Sequence, residues 1–240
     1  VATVYVARQQ PVERFVALKL FDRVDRDAAE RLQQLARYLA RLDHTNLVPV
    51  YDAGLADDQV YWIMRYMPAG TLHDRLKTQS LSPAEIDRLV AQIAAALDHA
   101  HGHDVFHGDL KPGNVLLDHA GNAFVADFGI VQALQATPSN YQAPEVRNGE
   151  IPDVRSDVYS LGAMIYELWA GQPLPPPDAY TPKVPAALEP VILKAVAPDP
   201  AQRYQSAGEL AEAYAQARQH AAADAALGVA ISRICFEGPE

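Results

Sequence analysis

Apolar and polar residues alternate from Val4 to Phe21, interrupted by Gln9-Gln10-Pro11, which predicts a two-stranded hairpin ending in Val16-Ala17-Leu18-Lys19-Leu20. The period then lengthens. From about Asp27 to Leu42 the residues Leu32, Leu35, Leu39 and Leu42 recur at helical spacing, with Asp27 placed to start the helix. Leu47 to Tyr51 and Val60 to Tyr66 read as two more strands flanking an Asp57-Asp58 turn, and Met67-Pro68-Ala69-Gly70 ends the pattern. A lobe boundary is expected near residue 68.

Helical periodicity dominates the rest. Ser82, Pro83 and Glu85 form a capping-box start, and Ile86, Leu89, Val90, Ile93 and Leu97 make one apolar stripe. Val115 to Asp118 and Ala123 to Ala126 predict a short hairpin around His119-Ala120-Gly121-Asn122, which places Asn114 and Asp127 at its two ends. Later helices are expected from about Val158 to Ala170, closed by Gly171, from Ala186 to Ala197 and from Ala207 to His220. The alanine-rich tail from Ala221 has no clear pattern.

Composition narrows the class. A chain of 240 residues, 49% hydrophobic, can bury a sizeable core in one large or two small domains. No apolar run is long enough to span a bilayer, and Val1 to Ala7 leads into a strand pattern rather than a signal peptide. The single cysteine, Cys235, cannot form an internal disulfide, so the cytoplasm is the expected location, with this segment free or as the catalytic part of a longer chain. A net charge of −10 with scattered basic residues argues against nucleic-acid binding and hints at basic protein substrates.

The chemistry concentrates in two stretches, His107-Gly108-Asp109-Leu110-Lys111-Pro112-Gly113-Asn114 and Asp127-Phe128-Gly129. They supply an acceptor for a hydroxyl proton, a cation for a moving phosphoryl group and oxygen ligands for a hard divalent ion. Lys19 alone reads as a solvated strand lysine, and either aspartate alone as a turn residue; their joint spacing reverses that reading. By contrast, His99, His101 and His103 read as solvated helix-end residues rather than a metal site, and Pro175-Pro176-Pro177 as a stiff linker.

Lys19 in a strand, the HGDLKPGN loop, the DFG triplet, Ala143-Pro144-Glu145, Asp157 to Gly162 and Arg203 stand in the order found in protein kinases. Over roughly residues 1 to 218 the chain resembles the bacterial eukaryotic-like Ser/Thr protein kinases. That resemblance implies an α+β, two-lobed kinase-like fold: a small lobe of antiparallel sheet plus one helix to about residue 68, and a larger, mainly helical lobe from about 69 to 220. It implies ATP with magnesium, or manganese in its place, and a protein Ser/Thr acceptor, autophosphorylation included, with no nucleic acid and no membrane contact in this segment. Lys19 would hold the ATP α- and β-phosphates, Asp109 would take the hydroxyl proton, Lys111 would neutralise the γ-phosphate, and Asn114 and Asp127 would ligate the metal. Val4, Ala17, Met64, Tyr66, Met67 and Leu116 would line the nucleotide site, Met64 as gatekeeper and Arg65, Tyr66 and Met67 as the hinge. Glu145 with Arg203, Asp157 at a helix start, and His107, Phe128 and Leu39 in a packed spine would be structural.

The departures are as specific as the matches. Ala2 stands where the third glycine of the phosphate-covering loop usually sits, the stretch between Gly129 and Ala143 is short with Thr137 four residues before Tyr141, and the text after Leu174 skips the length of a further helix. Segments missing from the sequence would explain all three. Leu35 stands where the family has the glutamate that pairs with the strand lysine, and Glu30 lies about 140° around the helix from it. Gly108 replaces the arginine that reads activation-loop phosphate in many family members. Two other readings follow: a pseudokinase that binds nucleotide or a partner, favoured by Leu35 and the absent glycines, and a small-molecule phosphotransferase, favoured by His-Gly-Asp-Leu but opposed by the DFG and APE triplets.

Overall fold

A computed structural model describes residues 2–235 except Arg23, Asp58 and Pro138, with side chains described through Ala221. Strand alternation builds the first layer. The hairpin of β1 (Ala2–Gln9) and β2 (Arg14–Phe21) pairs Ala2 with Phe21 and Gln9 with Arg14. β3 (Val50–Ala56) and β4 (Gln59–Arg65) complete an antiparallel sheet in the order β1-β2-β4-β3. In β4 the buried positions are Val60, Trp62 and Met64, the period-2 set, while in β2 Val16, Ala17, Lys19 and Phe21 are buried. Trp62 meets Phe21 edge-on at 5.3 Å, and Leu32 and Ala36 of α1 (Arg26–Leu39) complete this core.

Two boundaries differ from the pattern. The side chain of Asp25, not Asp27, caps α1 by accepting from the Ala28 N–H at 2.7 Å, because an N-cap must lie outside the first helical turn. β3 begins at Val50 rather than Leu47, and of its expected turn Asp57 takes a φ of 48° while Asp58 lies outside the described residues. Leu47 and Val48 instead reach across to the second hairpin, Val48 N–H donating to the Val125 carbonyl at 2.9 Å.

The second core is helical. α2 (Leu72–Thr78), which the hydrophobic period did not reveal, is capped by Thr71. α3 (Pro83–His101) has the predicted reciprocal Ser82–Glu85 capping box, a motif worth about 1 kcal/mol. β5 (Val115–Leu117) and β6 (Ala123–Val125) form the predicted hairpin. There follow α4 (Ile130–Leu134), α5 (Pro144–Arg147), α6 (Val154–Ala170), α7 (Glu189–Ala195) and α8 (Ala207–Cys235). α6 starts four residues before the predicted Val158, on an Asp153 cap, and α8 runs on well past His220. Gly162 lets α6 approach α7, since a Cβ there would sit 2.6 Å from that of Ala195. Among the described residues, no helix is long and apolar enough to cross a membrane.

Candidate active site

The loop from His107 to Asn114 is held by buried side chains on three sides. Asp157, in the first turns of α6 and fully buried, accepts the backbone N–H of His107 at 2.7 Å and of Gly108 at 2.8 Å. His101 Nε2 lies 2.8 Å from the same carboxylate with its side chain 6% exposed, so the expected solvated histidine is a buried partner of Asp157. His99 likewise stacks on His44 at 5.1 Å. The His107 ring is buried between Phe128, 4.7 Å away, and the loop itself. Its Nδ1 accepts from Asp109 N–H at 3.3 Å and its Nε2 pairs with the Ala126 carbonyl at 2.9 Å, which fixes the neutral tautomer that donates from Nε2. Burial holds this imidazole below its ordinary pKa, against the neighbouring carboxylates of Asp157, Asp109 and Asp127.

The hairpin then brings the second stretch alongside. Ala126 N–H donates to the Asn114 carbonyl at 2.9 Å, and Gly129 N–H to the His107 carbonyl at 3.1 Å. Asn114 Nδ2 donates to the Asp109 carbonyl at 2.9 Å, which leaves its amide oxygen as the available ligand atom. Asp109 is 3% exposed; one carboxylate oxygen pairs with Lys111, and the other, Oδ1, is buried with no partner among the described residues.

Lys19 joins this group from the sheet, its Nζ 2.7 Å from Asp127 Oδ1. Asp127, and not Glu30, is the partner engaged. Glu30 bonds Arg26 at 3.3 Å with its side chain 69% exposed, and Gln34 reaches Tyr38. Leu35 packs on Gly129, whose φ is 66° and where a Cβ would lie 3.1 Å from Leu35 Cδ1. Arg31 Nε adds a bond to the Ala133 carbonyl at 2.9 Å, so α1 is docked on α4. Ala17, Met64 and Met67 are buried in one cluster with Leu116 packed against it, Tyr66 is half-buried, and Val4 is 57% exposed on β1. Ala126, in the same cluster and next to Asp127, escaped the sequence reading because a lone alanine carries no signal.

The expected structural contacts are also present. Arg203, its side chain wholly buried, makes a two-pronged pair with Glu145 at 2.6 and 2.8 Å, tying α5 to the loop before α8. Phe128 and Leu39 pack against the helical core.

A lysine from a sheet lobe paired with an aspartate on one loop of a helical lobe, beside a second loop that carries a buried aspartate and its own lysine, is the arrangement of the kinase class. The protein kinase domain model matches residues 1–213, and the chain belongs to that family. It is similar to the serine/threonine-protein kinase PrkC of Bacillus subtilis, 34% identical over 241 residues covering 87% of this chain and 37% of PrkC. It is also similar to serine/threonine-protein kinase PknJ of Mycobacterium tuberculosis, 33% identical over 92% of this chain and 44% of PknJ. The crystal structure of a singly substituted PknI kinase domain from Mycobacterium tuberculosis superposes with a TM-score of 0.79 at 30% identity, covering 90% of each chain. This chain therefore spans about two fifths of the length of the curated relatives it matches.

Proposed function

We propose that this domain is an ATP-dependent protein serine/threonine kinase acting in the cytoplasm, on protein substrates and on itself. The observation that carries the reading is Asp109: a buried carboxylate paired with Lys111, on a loop whose backbone is fixed by Asp157. In this reading the Asp109 carboxylate orients the substrate hydroxyl and accepts its proton as the oxygen attacks the γ-phosphorus, a role worth about 10²- to 10⁴-fold. Lys111, shared with Asp109, offsets charge on the transferred group. Lys19 meets the phosphates while Asp127 holds it in place. Ala17, Met64, Met67 and Leu116 supply the apolar walls for a purine, and Tyr66 and Val4 its rim.

The donor set fits magnesium. Asn114 and Asp127 offer an amide oxygen and a carboxylate, both hard ligands, and no cluster of three or more ligating side chains exists among the described residues. Magnesium binds in this manner, through one or two protein oxygens completed by substrate phosphates. The bound ion would supply charge neutralisation at the phosphate oxygens. Phosphoamino-acid analysis after incubation with a generic basic protein tests the acceptor: phosphoserine or phosphothreonine is expected, and label on a small alcohol or aminoglycoside alone would contradict the reading.

A further inference from the structure

Gly108 precedes Asp109 with a φ of 71°, and any side chain at this position would collide with the amide of Gln132 from α4. An arginine here would be strained by the left-handed backbone and would have to displace the Gln132 amide. The Gly108 peptide is gripped from both ends instead: the N–H donates to Asp157 at 2.8 Å, and the carbonyl accepts from Gln142 Nε2 at 2.5 Å.

Gln142 is 1% exposed, and its other amide atom, Oε1, is buried with no partner among the described residues. Burying a half-satisfied amide costs stability that an apolar side chain of the same shape would not. Among the described residues, the one polar contact of its side chain is with the carbonyl adjoining the Asp109 N–H. The backbone leading to Gln142 is itself fixed to α6, because Ser160 donates to the Tyr141 carbonyl at 2.9 Å and the Tyr141 hydroxyl donates to Glu167 at 2.6 Å. Burial and Glu167 together push the Tyr141 phenol upward, so it stays a donor. The result is a closed frame: α6 holds the loop through Asp157 and holds Gln142 through Tyr141, and Gln142 closes the circuit on Gly108.

We propose that Gln142 is a positioning residue for phosphoryl transfer, an uncharged strut that fixes the Gly108–Asp109 peptide and so aims the Asp109 carboxylate. The proposal rests on the kinase reading for its effect on rate. Its mechanical content, rigidity of residues 107–109, stands apart from turnover. The strut joins the segment before Ala143-Pro144-Glu145 to the proton acceptor with neutral hydrogen bonds, and no phosphate takes part in it.

The decisive variant is Gln142→Met, which keeps the length and buried shape while removing both the donor and the unsatisfied oxygen. Its melting temperature should fall by no more than a few degrees, because loss of the unsatisfied oxygen offsets the Gly108 carbonyl left without its donor. Its kcat should fall about 10- to 100-fold, the scale of a small misplacement of a reacting group, with KM for ATP unchanged. Backbone amide exchange at Gly108 and Asp109 should quicken at least tenfold in the variant. Gln142→Glu, which turns the donor into an acceptor facing a carbonyl, should lose as much rate or more. Unchanged exchange at both amides, an unchanged kcat, or a Gln142→Met protein that no longer folds would each overturn the proposal, the last by assigning Gln142 to the core. A parent protein without any turnover would instead overturn the kinase reading, while the exchange measurement would still decide the strut.

Discussion

Lys19 and Asp127 form an ion pair at 2.7 Å between the sheet lobe and the DFG triplet, with side chains only 10% and 23% exposed. At that burial, removing one partner strands the other. Lys19→Met and Asp127→Asn should each destabilise the domain, and the double variant should cost less than their sum, with a coupling of about 1–3 kcal/mol. Urea unfolding of the four proteins measures this; strictly additive effects would show that the pair is not formed.

Leu35 occupies the place where the resemblance expected a glutamate, yet it packs on Gly129 rather than leaving Lys19 short of a partner. A carboxylate there would lose apolar contact beside an existing pair. Leu35→Glu should lower stability by about 1–3 kcal/mol and should not raise activity, whereas Leu35→Met should be near neutral. Increased turnover in Leu35→Glu would show that α1 readily swings inward to a new pair.

The fold was legible where signals are local. The Ser82–Glu85 box, the β5–β6 hairpin and the Gly171 stop each depend on a few adjacent residues, and each stands where the pattern placed it. The starts of α1 and α6 were misplaced because an apolar stripe marks the face of a helix and not its first turn. The site residues were recognisable by order and spacing, but their partners were not. Spacing alone does not say whether Glu30 or another group meets Lys19; in the fold Asp127 does, while Glu30 bonds Arg26 and α1 is docked on α4. His101 reads as a solvated helix-end residue because its burial depends on Asp157, 56 positions away.

Acid should weaken the native state through His107. The buried ring keeps its proton off in the folded protein below the usual 6.5, while the unfolded chain binds one there. The unfolded state then holds more protons, so stability is full above about pH 6.5 and is lost as the pH falls from there through the lowered native value. His44, lowered by burial and by His99, acts in the same direction. Melting temperature should drop between pH 7.5 and 5.5, and His107→Leu, less stable throughout, should show a shallower slope. An equal slope would assign the acid sensitivity elsewhere.

Nucleotide should stabilise the fold only with its metal. Asn114 and Asp127 offer too few ligands to hold magnesium alone, so magnesium without ATP should leave the melting temperature unchanged, and millimolar magnesium-ATP should raise it by mass action. Asp127→Asn should reduce that rise. A shift with magnesium alone would reveal a preformed metal site.

The central claim is that Asp109 serves as proton acceptor in phosphoryl transfer, and radiolabelled ATP tests it most directly. The intact domain and Asp109→Asn, compared at equal folded concentration with magnesium, should differ about 10²- to 10⁴-fold in phosphate incorporated into protein, with similar nucleotide-induced thermal shifts. Equal incorporation by the two proteins, or none by the intact domain despite a clear magnesium-ATP shift, would contradict it.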